Sequence, residues 1–311
     1  MSKPIELKNV SKTFRHPMKV WDKVEAVKDL SFSMENGEIV GFVGHNGAGK
    51  TTAIKMIMGF IWPNSGEIKV NGKDPGDQEV KKTIGFLPER PYFYAQLTGM
   101  ELLNYFGRLC GIKGSLLKDR SEKLLRRVGI FDDRNRKLSG YSKGMLQRIG
   151  LAQALIHDPQ LVIMDEPMSG LDPIGRREVK EIIRSLKKEG KSVIFSSHIL
   201  SDIENLSDRV LIIENGVKKH FGTVSEIIPP DRIRYKIEFD SPNEMKDAAF
   251  ALFKGIRVVS ERFIIDCDDL DDFNTKLSAI VEKGYPVLNA GGVLPSLEEI
   301  VFTTENTEVK Q

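Results

Sequence analysis

A chain of 311 residues is long for one compact domain and fits a large domain joined to a small one. Its 40% hydrophobic content supports real cores, while a net charge of +2 points neither toward nor away from nucleic acid. Cys110 and Cys267 lie far apart, which argues against a disulfide framework or zinc site and fits a reducing cytosol; no run reaches the roughly 18–20 continuous apolar residues of a spanning helix.

In chain order, Met1 to Glu6 carry no apolar signal core. Strands are expected over residues 5–10 and 24–34, and the apolar run Glu38 to Val43 reads as a buried strand ending in a glycine-rich turn. A helix from Lys50 to Gly59, a turn at Pro63 to Gly66, and strands at 66–70 and 84–87 follow. From Thr98 to about Ile130 the pattern is helical, with Leu102, Leu103, Phe106 and Leu109 on one face, within a helical insertion spanning about residues 90–157. A helix at 143–157 leads to the strand Leu161 to Met164. Helix 173–189, strand 192–195, helix 199–207 and a hairpin over 209–221 turning at Asn215-Gly216 complete an α/β domain.

Pro229-Pro230 can continue neither a helix nor a central strand, and the charge balance changes there. Residues 1–230 hold 36 basic and 28 acidic side chains, and residues 231–311 hold 10 and 16. The domains expected are therefore 1–230 and 231–311. In the second, strand 232–240, helix 243–253, strands 256–259 and 262–267, helix 269–283 and strand 286–290 follow one another. That is the α+β, ferredoxin-like order.

Gly44, His45, Asn46, Gly47, Ala48, Gly49, Lys50 and Thr51 fit GxxxxGK[ST] at every fixed position, with Thr52 following. Glycines let the backbone wrap a phosphate so that several N–H groups point inward at a helix start. Lys50 offers a charge for the β- and γ-phosphates, and the Thr51 hydroxyl can ligate Mg²⁺. The strand Leu161 to Met164 ends in Asp165 and Glu166, two carboxylates at the carboxyl edge of a buried strand. Asp165 can hold Mg²⁺ through water, and Glu166 can accept a proton from an attacking water.

Tyr141 to Arg148 resembles the LSGGQ-x-QR signature of ABC transporter ATPases, with Ser142, Gly144, Gln147 and Arg148 in register. A second register through Leu138-Ser139-Gly140 leaves no Gln-Arg pair at the expected offset. Asp165 follows Ser142 by 23 residues, room for one helix and one strand, which puts Ser142 and Gly144 at a helix N-terminus. Ser169 to Asp172 resembles the family's D-loop, His198 its switch histidine on the γ-phosphate, and Phe14 its adenine-stacking aromatic. Glu89 stands where the family carries its Q-loop glutamine, beside Mg²⁺ and water. Lys143 and Met145 replace the family's Gly and Gln, Met168 its Thr or Ser, and His45 its Pro.

The resemblance implies a P-loop NTPase fold with a helical subdomain and an ATPase that uses ATP and Mg²⁺. Two copies, or one copy and a related subunit, would pair head to tail, with Ser142 and Gly144 of one closing on the loop of the other. An integral membrane permease would be the working partner, with no nucleic acid expected, and the chain would sit peripherally on the cytoplasmic side of the cell membrane. Helical residues and Arg90 to Tyr94 would touch that permease. The Leu-Pro-Glu and Tyr-Ser-Lys-Gly-Met spellings, with Pro295 to Phe302, resemble ABC-2-type exporters. The alternatives are an importer ATPase, a soluble ABC ATPase acting on ribosomes or DNA, and a module that holds ATP without turnover.

Overall fold

Short, uninterrupted apolar runs bounded by turn residues suit strands covered on both faces, and such runs form the centre of the larger sheet. The computed structural model describes residues 2–15, 23–227, 233–240, 253, 256–259 and 262–293. Contacts divide the chain into two units, Met1–Val224 and Ser225–Gln311. Pro229-Pro230, most of the helix expected at 243–253, and Pro295 to Phe302 lie outside the described residues.

In the first unit nine strands run in the order β4-β1-β2-β9-β8-β3-β7-β6-β5. The parallel part is β8 (Arg209–Glu214), β3 (Ile39–Val43), β7 (Ser192–Ser197), β6 (Leu161–Met164) and β5 (Ile84–Leu87). Every residue of β3, β6 and β7 is buried. Each large aliphatic side chain there contributes about 2 kcal/mol by leaving water. β1 (Ile5–Arg15), β2 (Lys23–Met34) and β4 (Ser65–Val70) make an antiparallel set. That set meets the parallel part where β2 runs beside β9 (Val217–Gly222), with Lys28 opposite Val217. β8 and β9 are joined at Asn215 and Gly216, whose φ angles of 48° and 81° are the left-handed pair of a tight hairpin turn.

Helix α1 (Lys50–Ile57) follows β3, and the one-turn α2 (Gln78–Lys81) precedes β5. The single helical stretch expected from Thr98 is two helices, α3 (Gly99–Leu109) and α4 (Gly114–Arg127). Thr98 and Glu101 form a reciprocal cap at the start of α3. The break comes at Gly111 and Gly114, both with positive φ. Leu102 and Leu103 are fully buried, whereas Leu109, expected on the same face, is 66% exposed at the frayed end. A short 3₁₀ turn (Leu138–Gly140) precedes α5 (Lys143–Leu155), and α6 (Pro173–Lys188), α7 (Leu200–Leu206) and α8 (Val224–Ile227) complete the helices of this part.

The second unit holds β10 (Arg234–Phe239), β11 (Arg257–Val259), β12 (Arg262–Cys267), α9 (Leu270–Glu282) and β13 (Val287–Val293). Its strands are all antiparallel in the order β11-β12-β10-β13, the ferredoxin-like arrangement. Ile237, Phe239, Phe263, Ile265 and Ile280 form its core.

Candidate functional site

From the end of β3 the chain turns through residues 44–49 into α1. Gly49 holds φ 108°, and a Cβ there would collide with the Ala26 carbonyl oxygen, so the loop's closeness to β2 requires glycine. The Asn215-Gly216 turn braces the loop from behind. The Gly216 N–H donates to the Ala48 carbonyl at 3.0 Å, and the Lys28 N–H donates to the Gly216 carbonyl at 2.7 Å.

Lys50 is buried and bends back over its own loop, with Nζ donating to the carbonyls of Gly44 and, at 3.2 Å, His45. Burial pushes its ammonium below the usual lysine range, opposed by the negative charges of Glu166, Asp165 and Glu89. Residues 45–52 line an open cleft of about 520 Å³ with Ala26, Glu89, Asp165 and Glu166.

Asp165 is buried at the end of β6, and its Oδ2 accepts the Thr51 hydroxyl at 3.0 Å. Its Oδ1 accepts the Ser196 hydroxyl at 2.7 Å, and the Ser196 oxygen accepts the Glu166 N–H at 2.8 Å. Glu166 stands at φ 50°, left-handed for a residue with a Cβ. Its Oε2 lies 2.7 Å from Nδ1 of the half-exposed His198. Thr51, Asp165 and Glu89 present hard oxygen ligands to one space, a donor set that suits Mg²⁺ shared with phosphate oxygens.

Ser142 caps α5, accepting the Met145 N–H at 3.2 Å, and Gly144 follows in the first turn. Neither lines the cleft of its own chain. Gln147 is buried and donates to the Pro167 carbonyl at 3.1 Å, tying α5 to the segment just past Glu166. Arg148 pairs with Glu178 of α6 at 2.5 Å. Asp172 caps α6, accepting the Gly175 N–H at 2.8 Å. Phe14 sits on β1 opposite Val24 with Lys12 over its ring, and it is not among the lining residues.

Sequence reading misses Ser196 altogether. A serine inside a buried strand carries no motif, and its partners are set by strand register alone.

Residues 27–169 match the family model described as ABC transporter. The chain is 40% identical over 301 residues to the ABC transporter ATP-binding protein YxlF of Bacillus subtilis, covering 95% of this chain and 97% of the relative. It is 44% identical over 229 residues to the ABC transporter ATP-binding protein sll0415 of Synechocystis, and that match spans 73% of this chain but only 65% of the relative. The bacitracin transport ATP-binding protein BcrA of Bacillus licheniformis is 40% identical over 235 residues, 73% of this chain and 74% of the relative. A solved structure of an ATP-binding subunit of an ABC transporter superposes with a TM-score of 0.64 at 31% identity, over 72% of this chain and 91% of that one. With its phosphate loop, acid pair and signature helix in the family's order, the chain belongs to the ABC transporter ATP-binding proteins.

Proposed function

We propose that this chain binds ATP with Mg²⁺, hydrolyses it, and energises export by a separate membrane-spanning partner. The observation that carries the reading is the convergence on one cleft of Lys50, the Thr51–Asp165 pair and the Glu166–His198 pair. Lys50 exchanges its loop carbonyls for the β- and γ-phosphate oxygens. Glu166 takes a proton from the water that attacks the γ-phosphorus, and His198 holds that carboxylate in place. The bond to the bridging oxygen breaks, leaving ADP and phosphate. Mg²⁺, held by the Thr51 hydroxyl and the Asp165 carboxylate, supplies charge neutralisation at the phosphates.

The working unit is a pair of chains, or this chain with a related subunit. Ser142 and Gly144, at the start of α5 and away from their own cleft, supply N–H groups to the phosphates held by the facing copy. Residues 1–230 form the ATPase domain with its insertion at about 90–157, and residues 231–311 form an accessory domain. Among the described residues no helix is long and apolar enough to cross a membrane. The permease would dock on Arg90 to Tyr94, where Tyr92 is 94% and Tyr94 is 56% exposed, placing the chain on the cytoplasmic face. The export direction is supported by the resemblance to ABC-2-type exporters and by the relative named for bacitracin transport.

The test is Glu166→Gln. Phosphate release should fall ~10³-fold while MgATP gathers the protein into a dimer on light scattering. A variant that stays monomeric at saturating MgATP would count against the two-chain site, and one with unchanged turnover would count against Glu166 as the base.

A further inference from the structure

The geometry points to Ser196 as a positioning residue that fixes the aim of Glu166 and links it mechanically to Asp165. This rests on the ATPase reading of the cleft. β6 and β7 pair in parallel register as far as Met164 opposite Phe195, so Asp165 and Ser196 are the next residues in line, where the ladder stops. Asp165 still places its N–H on the Leu87 carbonyl at 2.8 Å. Glu166 then swings to φ 50°, leaving the strand with a conformation that residues bearing a Cβ rarely adopt.

Ser196 replaces the missing rung with a side chain. An amide N–H only donates, so the Ser196 oxygen accepts from Glu166 at 2.8 Å. Its own hydrogen is therefore free to point at Asp165 Oδ1, 2.7 Å away. Asp165 gives its second oxygen to the Thr51 hydroxyl at 3.0 Å, so one chain of hydrogen bonds runs from the phosphate loop to the Glu166 backbone. Ser196 is fully buried, so water is not at hand to take its place. Two residues further on, His198 meets the Glu166 carboxylate at 2.7 Å. Glu166 is thus gripped at both ends, at the amide by Ser196 and at the carboxylate by His198.

Removing the hydroxyl leaves the Glu166 N–H and one Asp165 oxygen without these partners, and the left-handed turn loses the bond that holds it. Binding of nucleotide, carried by the loop backbone and Lys50, is untouched. Ser196→Ala in the full chain should therefore lower kcat for phosphate release ~10–100-fold. The Kd for ADP should stay within about twofold of wild type. Hydrogen exchange at the Glu166 amide should speed up. A merely structural serine would alter ADP binding and turnover together and leave that amide unchanged relative to its neighbours.

Ser196→Thr and Ser196→Val give a second comparison, because the two side chains share a shape and differ in the hydroxyl. Turnover in the threonine variant should exceed that in the valine variant at least ~10-fold. Equal turnover in that pair overturns the inference, as does a Ser196→Ala variant with wild-type kcat and wild-type amide protection. Glu166→Gln measured alongside separates the two levels. If it turns over normally, the ATPase reading falls and this inference with it. If it is inactive while Ser196→Ala is not, the role of Ser196 alone falls.

Discussion

Nδ1 of His198 and Oε2 of Glu166 stand 2.7 Å apart, although 32 residues separate them in sequence. A carboxylate accepts, so Nδ1 donates, and the ring's other nitrogen is left for the phosphate side. The contact joins a half-exposed ring to a largely buried acid. It costs little to keep, and it decides where the acid points.

His198→Ala removes that grip without disturbing the phosphate loop. The expected outcome is a kcat lower by ~10²-fold with ADP affinity nearly unchanged. Steady-state phosphate release and isothermal titration separate the two quantities.

The Lys50 ammonium is pushed down by burial and pulled up by Glu166, Asp165 and Glu89. Nucleotide needs the charged form, so affinity should be lost with rising pH before the ordinary lysine value of 10.5 is reached. Glu89→Gln removes one of the supporting charges. The alkaline loss should then begin at a lower pH, while affinity at neutral pH rises because a carboxylate no longer faces phosphate. Titrations of ADP across the alkaline range would reveal both effects.

His157 donates from Nε2 to the Ile84 carbonyl at 3.0 Å, and burial holds its imidazole below the ordinary 6.5, with Asp158 opposing and Lys191 and Arg120 reinforcing. The folded ring resists a proton that the unfolded chain accepts near 6.5. Below that pH the unfolded state binds more protons, so stability present at neutral pH is lost as the pH falls. His157→Gln, which cannot charge, should lose ~1 kcal/mol less between pH 7.5 and 5 in urea unfolding.

Asp202, buried on α7, is held by Arg176 at 2.6 Å and Lys180 at 2.6 Å, both on α6. Asp202→Ala strands two cations and should destabilise the fold by about 3–5 kcal/mol. Arg176→Ala should cost less, because Lys180 still faces the carboxylate. Thermal or denaturant unfolding of the two variants would rank them.

Most of the cleft was legible because its residues are contiguous. Residues 44–52 spell out a backbone path in glycines, and Asp165 and Glu166 end a strand that its apolar run announces. The break between α3 and α4 was harder to read, because Gly111 and Gly114 sit inside an otherwise helical pattern and Leu109 keeps the period while facing solvent. Ser196 was invisible for a different reason. Its importance comes from standing level with Asp165 across two strands 30 residues apart, and local sequence does not encode register. Phe14 was read from its position near the N-terminus, whereas the cleft wall on that side is given by Ala26.

The Asn215-Gly216 turn looks like an ordinary hairpin tip, the kind of place where a tag, a protease site or a fluorescent domain is usually tolerated. Here the tip is wedged between Ala48 and Lys28, backbone to backbone. Splicing foreign sequence into it would unseat the phosphate loop from a distance of some 170 residues along the chain. Labels belong elsewhere, and changes in hairpin length at this point are closed to the lineage as they are to the engineer.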